Sequence, residues 1–163
     1  MKTIVLLDSG PLGSTCNIKL TKQTQLFANF LKKEKIVLAV PEIIAYEIRR
    51  NFLLEGLSKS IRVLDKYNQR DQFIPLGSED LILAAELWAW CRKTGKPTTS
   101  NARLDIDVIL MAQALSQKNF FDEVIIATQN PKHLYLFHNY EISIWEWGQA
   151  LLDCKRGAIT LFG

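Results

Sequence analysis

A chain of 163 residues, 48% hydrophobic and 23% charged, has enough apolar mass for one packed core, and a single domain spanning 1–163 is expected. No apolar run approaches the roughly 20 residues of a membrane helix, and the N-terminal run is too short for a signal peptide, so a cytoplasmic protein with no membrane partner is expected. A net charge of +3 is too small to indicate nucleic acid by itself.

The chain opens with Thr3-Ile4-Val5-Leu6-Leu7, a continuous apolar run that stops at Asp8-Ser9-Gly10. Such a run reads as a central parallel strand buried on both faces. Residues 10–14 read as a loop. Residues 21–33 read as a helix with Leu26, Phe27, Phe30 and Leu31 on one stripe. A second strand, 36–40, runs into Pro41, which suits the first position of a helix over 41–54. That helix turns Ile44, Ile48 and Phe52 or Leu53 inward. Residues 59–67 form another amphipathic helix, and 73–75 a brief extended piece.

Ser78, with Glu79 and Asp80 behind it, opens a helix over 78–93 whose stripe is Leu81, Ala84, Ala85 and Trp88. Gly95-Lys96-Pro97 ends it, and 98–103 reads as polar loop. A helix over 105–117 carries Val108, Met111, Ala112 and Leu115. Then come a strand at 123–127, a turn at 128–131, a short strand at 142–144 and a closing helix at 145–152. Strands alternating with helices predict a parallel sheet with helices on both faces. The helices on either side of 73–75 form a small subdomain or a clip over the sheet.

Cys16, Cys91 and Cys154 lack disulfide or metal spacing and read as incidental thiols. His133 and His138 alone offer little for a His-based metal site or a Ser-His-Asp triad. Basic clusters at Lys32-Lys33-Lys35, Arg49-Arg50, Arg92-Lys93-Lys96 and Lys155-Arg156 suit solvated helix ends or phosphate contacts. Trp88, Trp90, Trp145 and Trp147 read as packing residues ahead of base-stacking ones.

Four acids sit where acids are costly. Asp8 ends a buried strand, where it either caps the following loop or serves a site at the strand's carboxyl end. Glu47 lies beside the Ile43–Ile44 row of its helix, as a site residue or as a partner of Arg49 or Arg50. Asp105 is the natural N-cap of its helix, while Asp107 borders the core stripe. Thr128 and Asn130, at the end of the 123–127 strand, offer neutral polar groups at the same rim as Asp8, or simply a turn. Carboxylates gathered at one rim repel one another, and a hard divalent cation resolves the repulsion. Oxygen ligands without His or Cys select Mg²⁺ or Mn²⁺, which polarise a phosphodiester and activate water.

In their order and spacing, IVLLDSG, VLAVPEIIAYEI, LDIDVILMAQAL and VIIATQN resemble the PIN domain, the metal-dependent ribonuclease fold of VapC-type toxins in type II toxin–antitoxin pairs. The likeness covers roughly 2–147. It implies an α/β, PIN-like three-layer α/β/α fold with a short central parallel sheet and a helical clip. It implies an endoribonuclease that hydrolyses RNA phosphodiesters, with Asp8 and Asp107 as metal ligands and with Glu47 and Asp105 holding or deprotonating water. Ser9, Thr128 and Asn130 would orient Asp8 or the substrate phosphate. A homodimer and a small antitoxin partner follow from the same likeness. Many members carry an acid at Asn130 or just beyond, where this chain has Lys132 and His133. That departure keeps open a second reading, a non-catalytic PIN-like module binding RNA or protein. A phosphotransfer receiver labelled at Asp8 is a third reading.

Overall fold

The computed structural model describes residues 1–95 and 100–156, without the side chains of His138, Lys155 and Arg156. The expected helix end at Lys96-Pro97, loop positions 98–99 and the Lys155-Arg156 cluster lie outside the described residues.

The chain folds into β1 (Thr3–Leu7), α1 (Ser9–Cys16), α2 (Lys22–Lys33), β2 (Val37–Pro41), α3 (Glu42–Glu55), α4 (Ser58–Gln69) and β3 (Phe73–Ile74). There follow α5 (Ser78–Lys93), α6 (Asn101–Gln117), β4 (Glu123–Thr128), the short α7 (Pro131–Leu134), a 3₁₀ segment (Tyr135–Tyr140), β5 (Ser143–Glu146) and α8 (Trp147–Arg156). All strand pairs are parallel, in the order β3-β2-β1-β4-β5. β1 lies at the centre, its five residues all buried, as a both-faces-covered strand must be.

From β1 the chain steps outward to β2 and β3, then returns past β1 to β4 and β5. With right-handed crossovers that reversal places helices on both faces of the sheet. It also makes the seam between β1 and β4 a topological switch point, where a crevice opens at the carboxyl ends of the strands. The α/β, PIN-like architecture expected from the sequence is the one found.

Three local expectations change. Residues 10–14 are not a loop but most of α1. Their Gly, Pro and Ser content suggests a turn, yet Asp8 caps the helix in extended conformation and accepts a hydrogen bond from Ser9 N. Pro11 then falls in the first turn, where its missing N–H has no helical partner to lose. A Cβ at Gly10 would stand 2.5 Å from the Gln129 amide group, so a larger residue there would displace the end of that exposed side chain.

The second change concerns α6, which begins at Asn101 with Ser100 as its N-cap, not at Asp105. The Ser100 hydroxyl accepts from Arg103 N at 3.4 Å. The third is α5, which turns Ala84, Leu87 and Cys91 into the core and leaves Leu81 47% exposed. Its closest neighbour is α6, and small residues on the inner stripe let the two helices approach. The helices flanking β3 form no subdomain of their own, since Leu64, Leu87 and Cys91 join the common core. The tryptophans pack as expected. Trp147 is buried edge-on against Phe27 at 4.9 Å, joining α8 to α2.

Gln113 ties the layers together. It is fully buried on α6. Its side-chain oxygen accepts from Ile43 N at 3.2 Å, and its side-chain nitrogen donates to the Ile74 carbonyl at 2.9 Å. One amide thus satisfies the start of α3 and the end of β3. Gln113→Leu leaves both backbone groups buried without partners. We expect a loss of about 2–4 kcal/mol in denaturant unfolding, and a loss within error would show that β3 and α3 do not depend on this bridge.

Candidate metal centre

Asp8 extends the β1–β4 ladder one residue beyond the strand, its N–H donating to the Ala127 carbonyl at 3.0 Å. Its Oδ1 accepts from Ser9 N at 2.8 Å, and its Oδ2 accepts from the Thr128 hydroxyl at 2.7 Å. Thr128 is fully buried, and its hydroxyl oxygen in turn accepts from Asn130 N at 3.0 Å. The two readings of Asp8 are therefore compatible. The carboxylate caps α1, is held in one orientation, and keeps lone pairs to spare, because each oxygen accepts about two bonds.

Two further acids meet it from neighbouring helices. Glu47 is half-buried on α3, and burial followed by the charge of Asp8 raises its pKa, against opposing contributions from Arg103, Arg50 and a hydrogen bond with the Ser9 side chain. Asp107 is only 7% exposed on α6. Burial first, then Asp8, with a smaller push from Glu47, drives its pKa from 3.8 to about 7, against the pull of Arg103. Its buried Oδ2 has no hydrogen-bond partner. His133 Nδ1 stands 3.8 Å from that oxygen, an ion pair only when the imidazole carries a proton.

Asp8, Glu47 and Asp107 line one cavity of about 10 Å³, room for about one water-sized sphere. Ser9, Arg103, Asn130 and His133 complete its wall. Asp105 does not line it. Its side chain is exposed, because the next acid along, Asp107, takes the inward face. Arg103 and His133 were not read as site residues from sequence. Arg103 lies one helical turn before Asp107, a signal visible only once α6 is known to start near Ser100. Nothing in the local sequence brings His133 to Asp107.

Among the described residues, no group of three or more His, Cys, Asp or Glu side chains is placed to hold a metal ion by itself. That excludes a structural zinc-type site among them. It suits Mg²⁺ or Mn²⁺, which take one or two protein carboxylates and keep water in the remaining positions. The unpartnered buried oxygen of Asp107 is the observation that fits such an ion.

In metal-free protein, Asp107 keeps its proton to about pH 7 when folded and releases it near 3.8 when unfolded. Across that window the unfolded state binds fewer protons, so this group's contribution to stability falls as pH rises and is flat on either side. Asp107→Asn removes the penalty. In EDTA it should raise the unfolding midpoint near pH 8 by the equivalent of up to about 4 kcal/mol, with little gain near pH 4. Equal gains at the two pH values count against a destabilising buried carboxylate.

No protein-family model matches the chain, and no curated protein matches it. Solved structures do. VapBC2 from Rickettsia felis, solved bound to a DNA fragment from their promoter, superimposes with a TM-score of 0.65 at 17% identity, over 88% of this chain and 99% of that one. VapBC-1 from nontypeable Haemophilus influenzae gives 0.60 at 16%, over 90% and 99%. FitAcB from Neisseria gonorrhoeae gives 0.60 at 14%, over 86% and 96%. At such identities the likeness speaks for the fold. Sheet order and these superpositions agree that the chain has the fold of a VapC-type PIN domain.

Proposed function

We propose that the chain is a Mg²⁺- or Mn²⁺-dependent endoribonuclease and the toxin half of a toxin–antitoxin pair. The observation that carries this reading is the buried Asp107 oxygen without a partner, facing the same cavity as Asp8 and Glu47 at the β1–β4 switch point. Asp8 and Asp107 would hold the ion, which when bound neutralises the acids and polarises the phosphodiester. Glu47, whose carboxyl is raised above its usual range by burial and by Asp8, accepts a proton from the attacking water. The Thr128 hydroxyl holds Asp8 in orientation. Exposed Arg103, with no close ion pair among the described residues, faces the substrate phosphate. Asp105 lies outside this arrangement.

The structurally similar chains come from two-component assemblies named VapBC and FitAB, some of them solved with DNA. This supports a small antitoxin as partner of the present chain; the homodimer rests on the resemblance in sequence alone. No described helix is long and apolar enough to cross a membrane. The non-catalytic module remains the second reading, favoured by Asn130 at the rim where many PIN domains have an acid.

RNA cleavage by the wild type should require added Mg²⁺ or Mn²⁺ and stop with EDTA, while Asp8→Asn and Asp107→Asn lose roughly 100-fold or more. A wild type that binds these ions but cleaves no RNA points to the binding module. An Asp8→Asn protein as active as wild type sinks the nuclease reading. Arg103→Ala should raise KM for RNA and reduce the salt slope of binding by about one, with metal affinity retained or improved. An unchanged salt slope removes Arg103 from the phosphate contact.

A further inference from the structure

We infer that His133 is a nitrogen ligand of the metal centre, shifting its preference from Mg²⁺ toward a transition-metal dication such as Mn²⁺. The inference rests on the metal-centre reading above and adds a residue and a selectivity to it.

The chain leaves β4 at Thr128 and turns at once into α7, with Asn130 at the N-cap and Pro131 in the first turn. His133 N donates to the Asn130 carbonyl at 3.3 Å, which fixes the turn, and the ring reaches back to the cavity wall. Its Nδ1 stands 3.8 Å from Asp107 Oδ2. That separation is too long for a hydrogen bond, and Asp107 Oδ2, more than nine-tenths buried with its residue, has no other partner. Two donors each about 2.1 Å from one ion stand about 3.0 Å apart when adjacent and about 4.2 Å apart when opposite. The observed gap falls between these limits.

The chemistry points the same way. A hydrogen bond would draw the ring against the carboxylate, and at 3.8 Å none is made, although the pair stays within ion-pair range when the imidazole is protonated. An imidazole nitrogen is a poor donor for Mg²⁺, which prefers oxygen, and a good one for first-row transition ions. Exposed Asn130 and half-buried Ser9 add neutral oxygens and amides to the wall, not further charge. A centre in which Asp107 and one imidazole share the ion, with water in the remaining positions, is thus a mixed oxygen and nitrogen site, distinct from an all-carboxylate one.

The test uses untagged full-length protein in nitrogen-free buffer. Mn²⁺-loaded wild type should show ¹⁴N coupling in pulsed electron paramagnetic resonance, and His133→Ala should lose it. By calorimetry, the ratio of Mn²⁺ to Mg²⁺ affinity should fall about tenfold in His133→Ala. His133→Asp, which restores an oxygen donor, should bind Mn²⁺ without nitrogen coupling and regain Mg²⁺ affinity, which separates a lost ligand from a misfolded protein. Wild type that binds Mn²⁺ without nitrogen coupling, or an affinity ratio unchanged in His133→Ala, overturns the inference while leaving the metal centre standing. Binding of neither ion to wild type overturns the metal centre itself and this proposal with it.

Discussion

The parallel pairing of β1 with β4 sets the positions on which the rest of the site depends. Leu7 stands opposite Ala127, the ladder continues through Asp8 N to the Ala127 carbonyl, and the Thr128 hydroxyl therefore arrives beside the Asp8 carboxylate. A slip of one residue would turn every side chain of β1 to the opposite face. Both strands are buried on both faces along almost their whole length, so no polar–apolar alternation sets this register, and it rests on the fit of individual side chains and on the ladder itself. The reversal of chain direction at this same seam opens the crevice into which α3 and α6 deliver Glu47 and Asp107.

The site is electrostatically strained in the absence of a cation. Asp8, Glu47 and Asp107 share a space with room for little more than one small sphere, and Asp107 is almost out of water. Burial and mutual repulsion raise both Glu47 and Asp107, and Arg103 relieves them only in part. Such a cluster costs stability, and the surrounding apolar layer of Leu6, Leu7, Ile126 and Met111 offsets it. Tension of this kind is what a site for a positively charged ligand looks like when structure and function pull in opposite directions.

Much of the fold was legible in one dimension. The buried run Thr3–Leu7, the β-branched run before Thr128 and the helical stripes between them led to the right class and sheet type. The failures share a cause. Ser9–Cys16 has the composition of a turn, and it is helical because Asp8 caps it and Pro11, Leu12 and Cys16 are buried against the core. The apolar face of α5 was placed on Leu81, Ala84, Ala85 and Trp88; Ala84 is buried and Trp88 packs against the core, but Leu81 and Ala85 are exposed and Leu87 and Cys91 complete the inner face. Local propensity cannot report which neighbour an element meets.

At the site, residue type and spacing alone established that acids end or border buried segments at Asp8, Glu47 and Asp107. An acid in apolar surroundings is visible wherever the hydrophobic period is clear. Only tertiary structure showed that Asp105 faces solvent and does not line the cavity. Residues two apart on a helix point about 200° apart, so just one can face the sheet, and the packing of α6 turned Asp107 inward. Only tertiary structure, likewise, brought Arg103, Gln113 and His133 to their partners. Those contacts join segments that are distant along the chain, and no pattern within either segment encodes the meeting.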